Sequence, residues 1–320
     1  MQLLLIDEVH NIGDGRGSTL EAVVCRMKTV SKSAPVLRHQ LPAADLRIIA
    51  LSATLPNLGC IGEFVGATPD NVLPFDSSFR PVPLTVHVAS YPSQSSDFWF
   101  EKNLEKKVPE VLARFSGGRS TLIFCASRKS TESTADILMA TSPRTRDPAL
   151  LSATEHVVDP KLREALARGL GFHHANLQPK EKLIVEGLFR DRKLQTLCCT
   201  STLAMGVNLP AHLVIIKGTA QWQGKADGYS QIPASAILQM MGRAGRPGLD
   251  DHGVAVIMTD EPHRVHYEQL SNGCEIVESR LHEELVEILN SEVRLARGLS
   301  PRRSSSLFIC IEFLPETGLQ

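Results

Sequence analysis

Three observations predict an α/β fold with a parallel sheet in each of two lobes. Short apolar runs suited to strands alternate with longer segments of helical periodicity along the chain. Those runs are continuously apolar and do not alternate, as in strands covered on both faces. At 320 residues and 42% apolar content, the chain is long enough for two packed cores.

The first run, Leu3 to Ile6, ends in Asp7, Glu8, Val9 and His10. Carboxylates at the carboxyl end of a buried strand are placed where open α/β sheets hold ligands. Asp7 there suits Mg²⁺ held partly through water, and Glu8 suits a base that orients water against a γ-phosphate. Arg47 to Leu51 is the second strand, followed by Ser52, Ala53 and Thr54 and a helix near Leu55 to Val65. The proline-rich stretch from Asn71 to Ser96 holds one strand, Leu84 to Ala89, and reads as the boundary between lobes.

The second lobe is expected to open with a helix from Phe98 to Phe115. A buried strand follows, Thr121 to Cys125, which runs into Ser127, Arg128 and Lys129 and a helix over Ser130 to Met139. Hydroxyl and cationic residues just past a strand and at a helix start suit a nucleic-acid phosphate. Thr141 to Asp159 is polar and broken by proline, and reads as a mobile surface loop. His173, His174 and Asn176 precede a helix over Gln178 to Phe189 with Ile184, Val185 and Leu188 inward; no third ligand has metal-site spacing, which favours phosphate contact or packing. Thr196 to Cys199 leads into Thr200, Ser201 and Thr202, hydroxyls that with Gly206 and Asn208 fit a turn meeting phosphate and ribose groups. Leu213 to Ile216 and Val254 to Met258 complete the strands.

Gln239 to Gly248, QMMGRAGRPG, is predicted to lie on a helix from 233 to 246, begun by Pro233 and stopped by Pro247 and Gly248. Gln239, Arg243 and Arg246 would then share one face as a cationic fork, with Ile237, Met240, Met241 and Ala244 buried opposite. Glycines at 242 and 245 disfavour a helix, which fits a place where another backbone or a phosphate comes close.

The formal charge of −1 means that any nucleic-acid contact comes from a local basic groove. Cys25, Cys60, Cys125, Cys198, Cys199, Cys274 and Cys310 include no C-x-x-C pair and read as reduced thiols, not a disulfide or zinc framework. No run reaches membrane length, and a nuclear or cytosolic site is expected.

DEVH, SAT, TLIFCASRKS, TSTLAMGVNLPAH and QMMGRAGRPG, in this order, resemble motifs II to VI of the superfamily-two helicases. The subgroup is similar to the superkiller-type DExH helicases and, within it, to the meiotic crossover branch of ATP-dependent DNA helicases; Met205 and the run His212 to Thr219 point that way.

The resemblance implies RecA-like parallel sheets with flanking helices, a nucleotide cleft between two lobes, and one strand of nucleic acid lying across both. Asp7 would be the Mg²⁺ aspartate and Glu8 the catalytic base. Gln239, Arg243 and Arg246 would act on the γ-phosphate, and Gly206 and Asn208 would lie by the nucleotide. His10, Ser52 and Thr54 would couple hydrolysis to movement, while Ser127, Arg128, His174, Thr200 and Thr202 would face the strand. ATP and Mg²⁺ are the implied cofactors, single-stranded or branched DNA the implied substrate with RNA as the alternative, translocation 3′ to 5′, and the nucleus the implied site.

On this reading residues 1–80 are an incomplete first lobe, 81–96 a linker, 97–265 a complete second lobe, and 266–298 a helical lead into a winged-helix domain, with Leu281, Leu285, Ile288 and Leu289 inward. Residues 299–320 would be a disordered or aberrant tail. No G-x-x-x-x-G-K-[ST] phosphate loop occurs in the chain, so the resemblance implies a truncated helicase inactive by itself, with a catalytically dead strand- or partner-binding module as the alternative.

Overall fold

The computed structural model describes residues 3–15, 17–37, 46–53, 55–224, 228–273 and 276–297, so Thr54 and the tail beyond 297 lie outside the described residues. The chain divides into two compact units, residues 1–75 with 273–320, and residues 76–272.

In the first unit, β1 (Leu3–Ile6) pairs in parallel with β2 (Arg47–Ala50), Leu3 opposite Arg47 and Ile6 opposite Ala50. Around them lie α1 (Gly17–Leu37) and α2 (Leu58–Val65). Ile6, Val9, Ile12, Val24 and Ile61 form a small core. β1 is not covered on both faces as its apolar run predicts. Leu3 and Leu5 stay 44% and 66% exposed, because the described sheet has two strands and its core packs against one side.

Residues 276–297 belong to this unit. A 3₁₀ turn, Leu281–Glu284, and α11 (Leu285–Arg297) return to α1. The Ser18 hydroxyl donates to Glu284 (2.7 Å), and Glu21 accepts from the Ser279 hydroxyl (2.6 Å) and the Arg280 amide (3.0 Å). Leu281 is buried, with Leu285, Ile288 and Leu289 half-buried.

The second unit is a six-stranded parallel sheet in the order β3-β10-β7-β4-β6-β5. Its strands are β3 (Leu84–Tyr91), β4 (Thr121–Cys125), β5 (Leu170–His173), β6 (Thr196–Thr200), β7 (Leu213–Lys217) and β10 (Gly253–Asp260). β4 and β7 are buried at every position, which is why their sequences run apolar without alternation. The crossovers carry α3 (Asp97–Phe115), α4 (Arg128–Thr141), α5 (Pro148–Glu155), α6 (Pro160–Leu166), α7 (Pro179–Arg190), α8 (Thr202–Gly206) and α9 (Ala234–Met241). An antiparallel hairpin of β8 (Ala220–Gly224) and β9 (Gly228–Gln231) stands between β7 and α9.

Three sequence expectations change. Residues 81–96 are no linker, because β3 pairs with β10 along its whole length, Leu84 opposite Gly253 to Tyr91 opposite Asp260; its prolines bracket the strand and do not interrupt it. The second unit runs past 265, since α10 (Arg264–Ser271) packs on β3 and β10. The expected loop from Thr141 to Asp159 contains α5: the Asp147 carboxylate accepts the Ala149 amide, Pro148 takes the first helical position, and Leu150 is buried.

Candidate functional site

At the carboxyl edge of the second unit, β4, β6 and β5 lie side by side, with Cys125 opposite Thr200 and His173 opposite Cys199. The carboxyl ends of these strands and the turns leaving them carry the five residues expected to face nucleic acid. Beyond β4 the Ser127 hydroxyl caps α4 by accepting the Ser130 amide (3.2 Å), and Arg128 and Lys129 are exposed in the first turn. At the end of β6 the hydroxyls of Thr200 and Thr202 are 2.9 Å apart. Beyond β5 the His174 side chain is 5% exposed and stacks on Phe172. Neither of its ring nitrogens has a hydrogen-bond partner, although Nε2 comes within 3.4 Å of Glu132 without alignment. Ser127, Arg128, Lys129, His174 and Asn176 line one pocket of about 630 Å³. Glu132, Asp159 and Glu181 line the same pocket, so it is the first-turn amides and the exposed cations at its α4 side, with the unused ring nitrogens of His174, that suit a phosphate.

Burial pushes the His174 imidazolium below its ordinary pKa of 6.5, and Arg128 pushes the same way against Glu132. Burial likewise depresses His173, despite its 2.8 Å bond to Glu186, and His212, where Arg119 adds to the effect. Each ring is held neutral in the fold and takes a proton more readily once unfolded. Their stabilisation is therefore complete above pH of about 6.5 and is lost as pH falls through the depressed values. Thermal unfolding should show a midpoint that is flat near neutrality and declines with acidification below about pH 6.5. A midpoint that rises on acidification would contradict this assignment.

At the amino edge lies the stretch from Gln239 to Gly248. Here the expected helix to 246 is not made: α9 ends at Met241. The chain then bridges to the residues before β7, with the Ala211 amide donating to Arg243 O (2.9 Å) and the Gly245 amide to Ala211 O (2.7 Å). Gly245 has φ 89°, and a Cβ there would sit 2.7 Å from Val82. The close backbone is the chain's own, since Gly253 Cα would lie 3.5 Å from that Cβ. Ile237, Met240, Met241 and Ala244 are buried as predicted.

Gln239, Arg243 and Arg246 consequently share no helical face, and both arginines are bonded within the unit. Arg243 donates Nε to Ala204 O (3.1 Å), Nη2 to the same carbonyl, and Nη1 to Asn208 Oδ1 (3.1 Å). It thereby joins α8, which ends at Gly206, and the turn after it, which carries Asn208, to the stretch after α9. Arg246 holds Asp250 by Nε (2.7 Å), Nη2 (2.8 Å) and its amide (3.0 Å). The Asp250 carboxylate is 0% exposed; burial works to raise its pKa, but the bonds from Arg246 outweigh that and leave it lowered. The Gln239 side-chain oxygen is buried without a partner.

In the first unit, Asp7 is exposed beyond β1, and one of its oxygens accepts the Glu8 amide (3.0 Å). Glu8 adopts the left-handed conformation, φ 54° and ψ 46°, which a residue with a side chain rarely takes. His10 is buried, and its Nδ1 accepts the Ala53 amide (3.1 Å), so the ring proton belongs on Nε2, 3.3 Å from Glu8. The imidazole is thus bonded to the segment of Ser52, whose hydroxyl is buried and unpartnered, and approaches Glu8 without a hydrogen bond to it. Among the described residues no three potential ligands cluster about a metal; Asp7 is a single exposed carboxylate, the type of ligand that a largely hydrated Mg²⁺ takes.

Sequence reading missed Asp250 and Lys217. Asp250 lies four residues beyond Arg246, a spacing that offered a clue; Lys217 closes an apolar strand, where a lysine is out of place unless paired.

Residues 104–248 match the helicase conserved C-terminal domain. The chain is 36% identical over 331 residues to "ATP-dependent DNA helicase homolog MER3" of Arabidopsis thaliana, covering 98% of this chain and 29% of that protein. It is 40% identical over 310 residues to "Probable ATP-dependent DNA helicase HFM1" of Homo sapiens, covering 92% and 21%. It is also 37% identical over 302 residues to "DExH-box ATP-dependent RNA helicase DExH14" of Arabidopsis thaliana, covering 91% and 14%. The chain therefore spans less than a third of the length of these relatives. With five helicase motifs in order on two α/β units, and these relatives along nearly all of its length, the chain belongs to the superfamily-two DExH-box helicases.

Proposed function

We propose that the second unit grips the sugar-phosphate backbone of single-stranded DNA along its carboxyl edge and addresses ATP from its amino edge, as part of a 3′-to-5′ helicase acting in the nucleus in meiotic recombination. The observation that carries this reading is the sorting of residues on one sheet. Ser127, Arg128, His174, Thr200 and Thr202 lie at or just past the carboxyl ends of β4, β5 and β6, while Asn208, Arg243 and Arg246 gather before β7 and β10.

The nucleotide chemistry divides among residues of this chain. Bound Mg²⁺ would neutralise charge on the phosphate oxygens, and Asp7 would hold it. Glu8 would take the proton of the attacking water, with the His10 N–H toward its carboxylate. Arg243 and Arg246 would stabilise charge on the γ-phosphate; Arg246 keeps Nη1 outside its pair with Asp250. Gln239 would position water, Gly206 and Asn208 would flank the nucleotide, and His10, Ser52 and Thr54 would transmit its loss. The lysine and amides that cradle β- and γ-phosphates have no counterpart in these 320 residues.

The polypeptide is accordingly expected to bind single-stranded DNA without hydrolysing ATP. In fluorescence anisotropy with oligothymidylate, Arg128→Ala should weaken binding and lower the slope of log affinity against log salt by about 1, as for one lost phosphate contact. Unchanged affinity would overturn the strand assignment, and strand-stimulated phosphate release above an Asp7→Asn control would overturn the assignment of inactivity. Tighter binding of an RNA oligonucleotide of matched sequence would favour an RNA helicase, a reading that the RNA-helicase relative keeps open.

A further inference from the structure

Beneath the strand-facing edge lies a charged network unused by the chemistry above. Lys217, the last residue of β7, is 0% exposed on a central strand. Its Nζ donates to Glu101 (2.9 Å) and approaches Glu105 (3.4 Å), both on α3, and donates to the Thr134 hydroxyl of α4 (2.9 Å). Lys102 completes the group, donating to Glu105 (2.8 Å) and to the Ser133 hydroxyl (2.9 Å). Two carboxylates face two ammonium groups, so the network is neutral.

Two routes from Lys217 converge on Ser130. Glu101 accepts the Ser130 hydroxyl, and Thr134, having accepted from Lys217, donates its own hydroxyl to Ser130 O (2.7 Å). The amide of Ser130 in turn donates to Ser127, the residue that caps α4. All three polar groups of Ser130 are therefore engaged, two toward Lys217 and one toward the cap.

A buried lysine on an apolar strand is seldom more stabilising than a well-packed apolar residue, so its presence calls for a role beyond stability. We propose that Lys217, Glu101 and Ser130 are positioning residues that fix the first turn of α4, and with it Ser127 and Arg128, in the geometry that receives a strand phosphate. The proposal rests on the reading of the carboxyl edge as the strand site. None of the three touches the strand: Ser130 and Lys217 are buried, and their effect passes through the Ser127 cap. A helix start held within a fraction of an ångström keeps its first-turn amides convergent, whereas one free to rock spreads them.

Ser130 and Ser133 provide a matched test. Both donate hydroxyls from α4 to a glutamate of α3, but only Ser130 is linked to the cap. Affinity of the full chain for oligothymidylate, its salt slope and the thermal midpoint are measured for wild type, Ser130→Ala, Ser133→Ala and Arg128→Ala, well below every midpoint. Ser130→Ala should lower affinity about threefold to tenfold with an unchanged salt slope, since a hydrogen bond is lost but no phosphate contact. Ser133→Ala should bind as wild type despite a comparable change in midpoint. Equal losses from both serines would reduce the network to a structural role and overturn the proposal. So would wild-type affinity in Ser130→Ala when Arg128→Ala binds weakly. Wild-type binding by Arg128→Ala would instead remove the strand reading itself, and the proposal with it.

Discussion

Exchanging Glu8 for glutamine, in a longer chain that also carries a phosphate loop, is expected to reduce strand-stimulated ATP turnover by about 10²- to 10⁴-fold, the usual worth of a general base. Glutamine keeps the size of the side chain and its left-handed backbone, so Asp7 retains the Glu8 amide as a donor. What disappears is the basic oxygen beside His10 Nε2. ATP affinity should stay within about twofold, because the change removes an interaction made in the transition state and not in the ground state. Steady-state turnover together with nucleotide binding under non-hydrolysing conditions checks both parts. A parallel fall in affinity would mean that Glu8 holds nucleotide and not the reacting water.

Lys217→Met is expected to lower the unfolding free energy of the second unit by about 3–5 kcal/mol, the cost of stranding a buried charge by removing its partner. Burial works to discharge Lys217, yet the carboxylates of Glu101 and Glu105 keep its pKa raised. Methionine fills similar volume but leaves Glu105, nearly as buried as the lysine, with only Lys102 as a cationic partner. Adding Glu101→Gln and Glu105→Gln to the same chain should recover part of the loss, since the carboxylates are then neutral. Urea unfolding followed by circular dichroism measures both steps. A loss below about 1 kcal/mol for the single change would show that water reaches the network and screens it.

Most of the sheet was legible because its inner strands are buried on both faces: TLIFC and LVIIK carry no polar alternation to mislead a reader, and their helices supply the period between them, whereas β5, four residues with a glycine among them, was not read as a strand. Helix ends were less so. α9 stops at Met241 because Ala211, distant in sequence, bridges to Ala244, and no local pattern announces a contact of that kind. α5 was announced, by Asp147 and Pro148 as cap and first residue, but the surrounding polar stretch hid its single buried leucine, Leu150.

The candidate site divides in the same way. Order and residue type of the motifs lie on the surface of the sequence. The partners that hold the arginines do not, because Arg243 uses a backbone carbonyl of α8, and any of several carbonyls would read alike. Lys217 draws its partners from α3 and α4, so its ring exists only after the sheet has brought three distant segments together.

Placing Arg128 and Arg246 at opposite ends of one sheet has a thermodynamic consequence. Strand β7 alone, five residues long, separates the two edges by about 16 Å of parallel backbone, beyond the range at which side chains perturb one another directly. Substitutions at the two ends should then be additive in free energy as long as the unit behaves as a rigid block. Any interaction energy in a double-mutant cycle of Arg128→Ala with Arg246→Lys would report communication through the sheet, and its size, not the loss from either change alone, would measure how tightly strand occupancy and nucleotide state are linked.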